Sequence, residues 1–249
     1  MLNISWQPLS YTKSLILGNK SGDYTKMNRL DISAARPSES VISTNKLIKN
    51  TYILLSMTLL FSAVTATVSV FLAVPGWTYM ASLIGSIALI WFVLPRTANS
   101  SAGLAVIFGI TGLMGFGLGP ILNMYLSMAN GPQIVGTAMA GTGIIFLGLS
   151  GYALTSKRDF SFMGGFLMAG LLVVFIAILA GLFIEMPALH LAISAVVIML
   201  MSGFILYDTS RMVHGGETNY IMATIGLYLN IYNLFVHLLS LLGALSGDD

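Results

Sequence analysis

The polar side chains that could do chemistry lie in the last two apolar stretches of the chain. Asp208 ends one of them, and Asn230, Asn233 and His237 lie in the next. These last three residues are spaced i, i+3 and i+7, which puts them in one stripe on a helix. Because polar groups within a membrane face the interior of the bundle, a polar stripe beside a recessed carboxylate predicts an interhelical site.

The nearby basic residues leave two interpretations of Asp208 open. Arg211 is at position i+3, so the two side chains could form a solvated ion pair at the helix end. Alternatively, Asp208 belongs to an interhelical polar cluster with Asn230 of the next helix. Such a cluster either closes a cytoplasmic mouth or only pins the two helices together. We favour the interpretation in which the cluster closes a cytoplasmic mouth.

A serine motif suggests a hydrolase as a different kind of site. The string "GLSG" at 148–151 has the G-x-S-G form of intramembrane serine proteases, and Ser150 would need His190 or His237 as its base. Small residues also let membrane helices pack closely, which explains the motif and its neighbours without catalysis. These neighbours are Gly136, Gly141, Gly143, Gly148 and Gly151. We favour packing, and we predict no catalytic residue and no enzyme activity.

A glycine-rich run, "GFGLGPILN" at 115–123, places alternate glycines before Pro120. Such a run weakens or breaks a helix, and irregular backbone in a membrane is tolerated only against protein or a water-filled cavity. The run could therefore line a permeation path. It could also be a close-packed glycine face with a proline kink, which is the interpretation that we favour.

The composition requires a membrane environment. Hydrophobic residues make up 56% of the 249 residues and charged residues 8%, which is too little polar surface for a soluble globule of this size. The chain has no cysteine, which excludes thiolate nucleophiles and cysteine metal ligands, and its three histidines are scattered. We predict no metal site and no cofactor, with calcium possible only as a permeant ion. The net charge of +2 gives no indication of nucleic acid binding.

Seven apolar stretches are each long enough to cross the hydrocarbon core, at about 1.5 Å per residue over roughly 30 Å. They are residues 52–74, 77–94, 102–126, 134–154, 163–184, 188–209 and 220–245. Proline or glycine lies at most of the joints, so the stretches are separate helices. The predicted fold class is all-α, a polytopic membrane protein with a bundle of seven transmembrane helices.

Residues 1–50 differ in composition from the rest of the chain. They are rich in Ser, Asn, Thr and Lys with no helical period, so we predict a mobile cytoplasmic segment, followed by the transmembrane domain at 51–249. The apolar run at 14–18 is too short for a signal peptide. Because Met27 precedes a lead-in of ordinary length, residues 1–26 are either a misassigned start or a real extension.

Three motifs resemble those of the Bax inhibitor-one family, also called the lifeguard or TMBIM family of seven-helix membrane proteins. They are "KRDFSFMGG" at 157–165, "PALHLAISA" at 187–195, and "LYDTSRMVHGGETNYI" with "GLYLNIYNLFVHLLSLLG" at 206–243. The resemblance covers roughly residues 40–249 and is closest to the bacterial YccA-type branch. It implies an inner-membrane protein whose partner is FtsH, an ATP-dependent membrane protease that the branch restrains.

The resemblance also implies roles for individual residues. Structurally studied bacterial members are pH-sensitive calcium leak proteins. In them two aspartates, on helices six and seven, share a proton near the cytoplasmic side, and an arginine at the inner end of helix two can latch onto one of them. Asp208 matches the first aspartate, Asn230 stands at the position of the second, and Arg96 resembles the latch arginine. The resemblance therefore implies an ion- or pH-sensing cluster of Asp208 and Asn230 with Arg96 or Arg211. Because two carboxylates raise one another's proton affinity and an Asp–Asn pair can simply hydrogen-bond, the pH response should be weaker here.

Three function hypotheses follow from these features. The first is a regulatory inner-membrane protein that modulates FtsH-type proteolysis, with the lipid bilayer and the protease as its partners and no nucleic acid. The alternative is a pH-sensitive calcium or cation leak channel. An intramembrane serine hydrolase is the minor alternative.

The basic residues indicate the orientation in the membrane. All eleven Lys and Arg residues precede the first stretch or lie between stretches two and three, four and five, or six and seven. The other connections and the C-terminal tail contain none. Because positive charge is concentrated in cytoplasmic loops, the N terminus should be cytoplasmic and the C terminus outside.

Reporter fusions test this orientation. Alkaline phosphatase folds only outside the cytoplasm, so a fusion at the C terminus should be active and a fusion after Arg158 inactive, with reporter activity normalised to the amount of fusion protein. The reverse pattern, or an inactive C-terminal fusion caused by a seventh stretch that re-enters, would contradict seven complete crossings.

Overall fold

The computed structural model describes residues 10–156, 158–181, 183 and 186–246, and for residues 10–40 it describes the backbone alone. The helices are α1 (Ser10–Phe71), α2 (Trp77–Ala88), α3 (Leu94–Thr97), α4 (Ala102–Leu126), α5 (Gly131–Thr155), α6 (Gly164–Gly181), α7 (Pro187–Val213) and α8 (Tyr220–Leu245). A π-helical turn, Leu89–Val93, lies between α2 and α3, and a 3-10 turn, Ser161–Met163, precedes α6. The chain divides into two compact units, Met1–Lys46 and Leu47–Asp249.

Seven helical runs in the described residues are long and apolar enough to cross a membrane. They are Val41–Phe71, Trp77–Thr97, Ala102–Leu126, Gly131–Thr155, Ser161–Gly181, Pro187–Val213 and Tyr220–Leu245. The prediction of an all-α bundle of seven transmembrane helices is therefore confirmed.

The N-terminal part of the chain differs from the expectation drawn from its sequence. We expected no helical period in residues 1–50, whereas the backbone is helical from Ser10 onward, and the first membrane-competent run begins at Val41. Residues 1–9, which belong to the possible misassigned start at 1–26, lie outside the described residues. The mobility of this segment stays a prediction.

The second crossing changes its helical geometry just before Pro95. Proline has no N–H group and so cannot donate the hydrogen bond that a regular helix requires at this position. The wider π turn Leu89–Val93 lies immediately before it, and such turns absorb local irregularities in a helix. Helix α2, the π turn and α3 together form one crossing, Trp77–Thr97.

Helix α8 lies at the centre of the unit Leu47–Asp249. It packs against α4, α5 and α7, and its fully buried side chains include Leu227, Tyr228, Leu234 and Leu239. Helix α6 is peripheral and packs mainly on α7. Only 11% of the most apolar part of the α6 crossing is buried, against 44% for α8, so α6 faces lipid over most of its surface.

The glycines before Pro120 let α4 pack closely on two other helices. A Cβ atom at Gly119 would overlap Ser69 of α1, and one at Gly117 would lie 2.7 Å from the Cβ of Ser82 in α2. Helix α4 continues without interruption through Pro120. The run is thus a close-packed glycine face, and the helix break that it could have caused does not occur.

The glycines of α5 do not have this role. A Cβ at Gly141 would make an ordinary contact, 3.6 Å from Leu238. The other four would meet no described atom within 4 Å, and they are Gly136, Gly143, Gly148 and Gly151. The packing interpretation is wrong for these four, because the core face of α5 is formed by other residues, among them Ile134, Ala138 and Phe146.

A pair of alanine substitutions separates the two kinds of glycine. Gly119→Ala should lower the free energy of unfolding by about 1–3 kcal/mol, because the added methyl group has no space against Ser69. Gly136→Ala should be neutral or stabilising by up to about 1 kcal/mol, because its added methyl group meets open space in a helix. Unfolding in detergent micelles measures both, and equal losses would contradict the assigned faces.

Candidate functional site

Helices α7 and α8 bring Asp208 and Asn230 together. The Asn230 side-chain amide Nδ2 donates a hydrogen bond of 2.8 Å to the Oδ2 atom of Asp208. Asn230 is buried, with 7% of its surface exposed, and Asp208 is half-buried. A hydrogen bond to a carboxylate is stronger than one between neutral groups, so this contact ties the C-terminal part of α7 to the middle of α8.

A glycine on α8 makes room for the carboxylate. A Cβ atom at Gly226 would lie 3.3 Å from the Oδ2 atom of Asp208, which is tighter than most contacts of this kind. Gly226 is one helical turn before Asn230, so the two residues lie on the same face of α8. We call Asp208, Gly226 and Asn230 the Asp208 site. The sequence analysis did not identify Gly226, because spacing alone does not show what a glycine faces.

Arg211 does not pair with Asp208. Its Nη2 atom donates a hydrogen bond of 2.7 Å to the carbonyl of Gly216 and lies 3.8 Å from Oε2 of Glu217. Its guanidinium group also lies over the ring of Tyr207, 5.5 Å from the centroid. The pair with Glu217 is the one ion pair within the described part of the chain, so the interpretation of Asp208 and Arg211 as a helix-end ion pair is wrong.

Arg96 is also directed elsewhere. It is exposed, and it donates a hydrogen bond to the backbone carbonyl of Phe92 in its own crossing. The hydrogen bond that the structure gives to the Asp208 side chain comes from Asn230 and not from Arg96. Neither arginine of the predicted cluster therefore contacts the carboxylate, and the cluster reduces to an Asp–Asn pair.

The residue after Asp208 joins three helices. The Thr209 hydroxyl of α7 lies 3.3 Å from the Oγ atom of Ser150 in α5 and 3.4 Å from the hydroxyl of Tyr52 in α1. Thr209 and Ser150 are both buried. Hydroxyl groups that bond one another across membrane helices satisfy groups that lipid cannot satisfy, so these contacts explain Ser150 as a structural residue.

The structure does not bring Ser150 and a histidine base together. The Nδ1 atom of His237 lies 3.2 Å from the Oγ atom of Ser194, and His190 is exposed near the start of α7. In the described residues, the hydrogen-bond partner of the Ser150 hydroxyl is Thr209. A serine nucleophile requires a base within hydrogen-bonding reach, which this arrangement does not supply.

The rest of the polar stripe faces a cavity. The Asn233 amide donates a hydrogen bond of 2.8 Å to the carbonyl of Leu229 in its own helix, and both Asn233 and His237 line a space between α2, α6, α7 and α8. The stripe therefore divides into two parts. Asn230 is hydrogen-bonded to Asp208, whereas Asn233 and His237 line the cavity.

A second polar contact lies at the same end of α7 as the Asp208 site. The Ser210 hydroxyl accepts a hydrogen bond of 2.8 Å from the Phe160 N–H and lies 3.4 Å from Oδ1 of Asp159. Hydrogen bonds from Ser161 lower the pKa of the Asp159 carboxyl below its ordinary value. The contribution of Asp159 to stability is therefore complete above its ordinary pKa and is lost as the pH falls through the lowered one.

The Asp208 site offers few ligands to a metal ion. Calcium takes 6 to 8 oxygen ligands, roughly, whereas this site has one carboxylate and one amide. The described residues contain no group of three or more His, Asp or Glu side chains that could hold a metal ion. The prediction of no metal and no cofactor remains a prediction, as does calcium as a permeant ion.

This geometry defines a class, a seven-helix membrane protein with a carboxylate–amide pair at one end of its last two helices. The profile of the family described as "Inhibitor of apoptosis-promoting Bax1" matches residues 44–247. The chain therefore belongs to the Bax inhibitor-one family, as its motifs predicted.

Curated relatives support this assignment. The chain is 49% identical over 222 residues to "Modulator of FtsH protease YccA" of Escherichia coli (strain K12). The aligned region covers 89% of this chain and 100% of that protein. It is 49% identical over the same length to "Inner membrane protein YccA" of a second Escherichia coli strain. It is also 50% identical over 211 residues to an "Uncharacterized membrane protein" of Vibrio cholerae, covering 85% of this chain and 95% of that protein. None of these three is described as an enzyme.

Substitutions at the Asp208 site test the energetic role of the pair. Asn230→Leu should lower the free energy of unfolding by about 1–3 kcal/mol, because the carboxylate then loses its buried donor. Combining it with Asp208→Leu should recover most of the loss, because no unpaired polar group remains at the contact. Denaturant unfolding in micelles measures the three variants. An Asn230→Leu protein as stable as the unmodified protein would contradict the pairing.

Proposed function

We propose that this protein is an inner-membrane regulator that binds an FtsH-type ATP-dependent membrane protease and restrains its proteolysis. The observation that carries the proposal is the 49% identity over the whole length of a relative named as a modulator of FtsH protease. The residues of the Asp208 site lie inside the region matched by the family profile, residues 44–247. The relative named as an inner-membrane protein supports the location.

The proposed orientation places the basic connections in the cytoplasm. Arg96, Arg158 and Arg211 then lie on the cytoplasmic side, and so do the Asp208 site and the Asp159 contact. The N-terminal segment lies on the same side. A cytoplasmic N-terminal segment would be accessible to the ATP-driven part of such a protease.

The proposed mode of action is contact and not catalysis. Ser150, which has the sequence context of an intramembrane nucleophile, is bonded to Thr209 and has no histidine partner among the described residues. A regulator that acts by contact needs a surface that reaches its partner within the bilayer. Helix α6 supports this mode, because it is largely exposed and apolar, with Phe166, Leu172 and Phe175 among its exposed side chains.

Co-purification and substrate turnover test the proposal. In Escherichia coli cells that lack the relative, the tagged chain should co-purify with the protease in a mild detergent and lengthen the half-life of a membrane substrate. A seven-helix protein from another family, expressed at the same level, is the control. Failure to recover the protease together with an unchanged substrate half-life would contradict the proposal.

Truncations test the part played by the N-terminal segment. Removing residues 1–26 should leave membrane insertion and restraint unchanged, because they contain no apolar run long enough to anchor the chain and no recognisable motif. Removing residues 1–40 keeps the first crossing, Val41–Phe71, and should still allow insertion while it weakens restraint. The two truncations are compared at equal membrane levels by substrate half-life.

A second candidate function, a calcium or cation leak, is favoured by the Asp208–Asn230 hydrogen bond. This bond joins the C-terminal part of α7 to the middle of α8, and the opposite half of α7 borders a space whose lining includes Asn233 and His237. A half-buried carboxylate between two membrane helices could control the passage of ions. Because residue 230 is Asn, the pair holds one carboxylate and cannot share a proton between two of them.

Calcium-dye flux in proteoliposomes tests the second candidate. Any leak through the unmodified chain should respond only weakly to pH between about 6 and 8, the range in which a coupled carboxylate pair can titrate. Asn230→Asp should introduce a steeper response, and Asp208→Asn in that background should remove it. A steep response in the unmodified chain would show that Asn230 does not replace a gate residue.

A further inference from the structure

Five consecutive side chains near the end of α7 contact different parts of the protein, and we call residues 207–211 the α7 hub. The Tyr207 ring lies against the start of α6, where a Cβ atom at Gly164 would come within 2.9 Å of its hydroxyl oxygen. The other four form polar contacts. Asp208 bonds α8, Thr209 bonds α5 and α1, Ser210 bonds the connection between α5 and α6, and Arg211 bonds the connection between α7 and α8.

The helical period points the side chains of the α7 hub in all directions. Successive residues of an α-helix are about 100° apart around its axis, so positions 207 to 210 together cover the whole circumference. Thr209 and Ser210 are fully buried, with 0% of each exposed. A rotation or a shift of the hub that broke one of these contacts would therefore displace the side chains on every other side as well.

The contacts of the α7 hub are directional, unlike those of the preceding part of the helix. Hydrogen bonds weaken steeply when donor and acceptor move apart or out of line, whereas apolar burial is non-directional. Before the hub, the buried side chains of α7 include Leu200, Met201 and Ile205. Since one short helical segment carries directional contacts on all sides, a small displacement weakens them together, which favours two discrete arrangements over intermediate ones.

One partner of the α7 hub lies in an exposed connection. Ser210 accepts its hydrogen bond of 2.8 Å from the N–H of Phe160, which belongs to residues 158–163 between α5 and α6. In this connection Arg158, Ser161 and Phe162 are exposed, with 79% of Phe162 accessible. A contact made at this surface is therefore one hydrogen bond away from the buried hub.

We propose that the α7 hub is a conformational coupling element, in which the Asp208–Asn230 bond and the bond from Ser210 to residues 158–163 form and break together. A molecule that bound the exposed part of residues 158–163 would thereby control the Asp208 site. The physical basis is a two-state element that both sites bias, and such coupling is reciprocal. The coupling is a property of the chain and does not depend on the protease proposal.

Hydrogen exchange in detergent micelles, followed by mass spectrometry, tests the coupling. Asn230→Leu removes the donor to Asp208 and should raise the exchange rate of residues 158–163, because the hub that holds the Phe160 N–H is released. The rise should be at least fivefold relative to residues 131–140, which lie in the opposite half of α5 and report global unfolding. Equal changes in the two segments, or a rise confined to α7 and α8, would overturn the proposal.

Ser210→Ala tests the reverse direction. By the same comparison it should raise the exchange rate of residues 226–232 of α8 at least fivefold, because coupling is reciprocal. Ser202→Ala is the matched control on the same helix. The Ser202 hydroxyl bonds the Ile198 carbonyl of its own helix, so its loss should leave residues 158–163 and 226–232 unchanged. Unchanged exchange of residues 226–232 in Ser210→Ala, or an equal rise in Ser202→Ala, would contradict the coupling.

A reversible disulfide separates release of the α7 hub from a general loss of folding. The chain has no native cysteine, and the Ser150 and Thr209 hydroxyl oxygens are 3.3 Å apart, so Ser150→Cys with Thr209→Cys introduces two neighbouring thiols. In the Asn230→Leu background, the oxidised protein should regain slow exchange in residues 158–163, because the disulfide holds the hub against α5. Reduction should restore fast exchange. Equal rates in the oxidised and reduced protein would show that the hub does not carry the coupling.

Discussion

The structure depends on one constraint, that polar groups inside the hydrocarbon layer must find their partners within the protein. Three polar side chains of α8 meet this constraint by bonding to other helices. Asn230 bonds Asp208 of α7, the Tyr228 hydroxyl bonds Ser62 of α1 and the Thr111 carbonyl of α4, and His237 contacts Ser194 of α7. These contacts fix the rotation of the central helix, which apolar packing alone would specify weakly.

Close approach of the helices is the second requirement, and glycine meets it only on particular faces. Gly119 and Gly117 of α4 face α1 and α2, and Gly226 of α8 faces the carboxylate of Asp208. In α5, Gly136, Gly143, Gly148 and Gly151 meet no described neighbour, while the packed face is formed by other residues such as Ile134, Ala138 and Phe146. Glycine content therefore indicates a membrane helix without indicating which side of it is packed.

Much of the fold, and one contact of the site, could be predicted from the sequence. The length of the apolar stretches predicts the membrane crossings. The spacing of Asn230, Asn233 and His237 predicts the helix face that they share, and from that face the contact between Asn230 and Asp208 could be predicted. The partner of Arg211 was not, because a long flexible side chain at a helix end can reach either its own helix or the following loop. Arg211 contacts the following loop, because the Gly216 carbonyl accepts a hydrogen bond from it and Glu217 forms an ion pair with it.

The residues between the two polar regions bear on how the protein acts. Along α7, Ser194 lies at the cavity and Asp208 at the opposite end, and the buried side chains between them include Val197, Leu200, Met201 and Ile205. All four are apolar, so the buried face of α7 between the two regions offers no polar side chain to an ion. An ion that crossed here would have to leave water entirely, at a high cost in desolvation. In this conformation the helices are therefore better suited to transmit contact with a partner than to conduct ions, which favours the regulator over the leak.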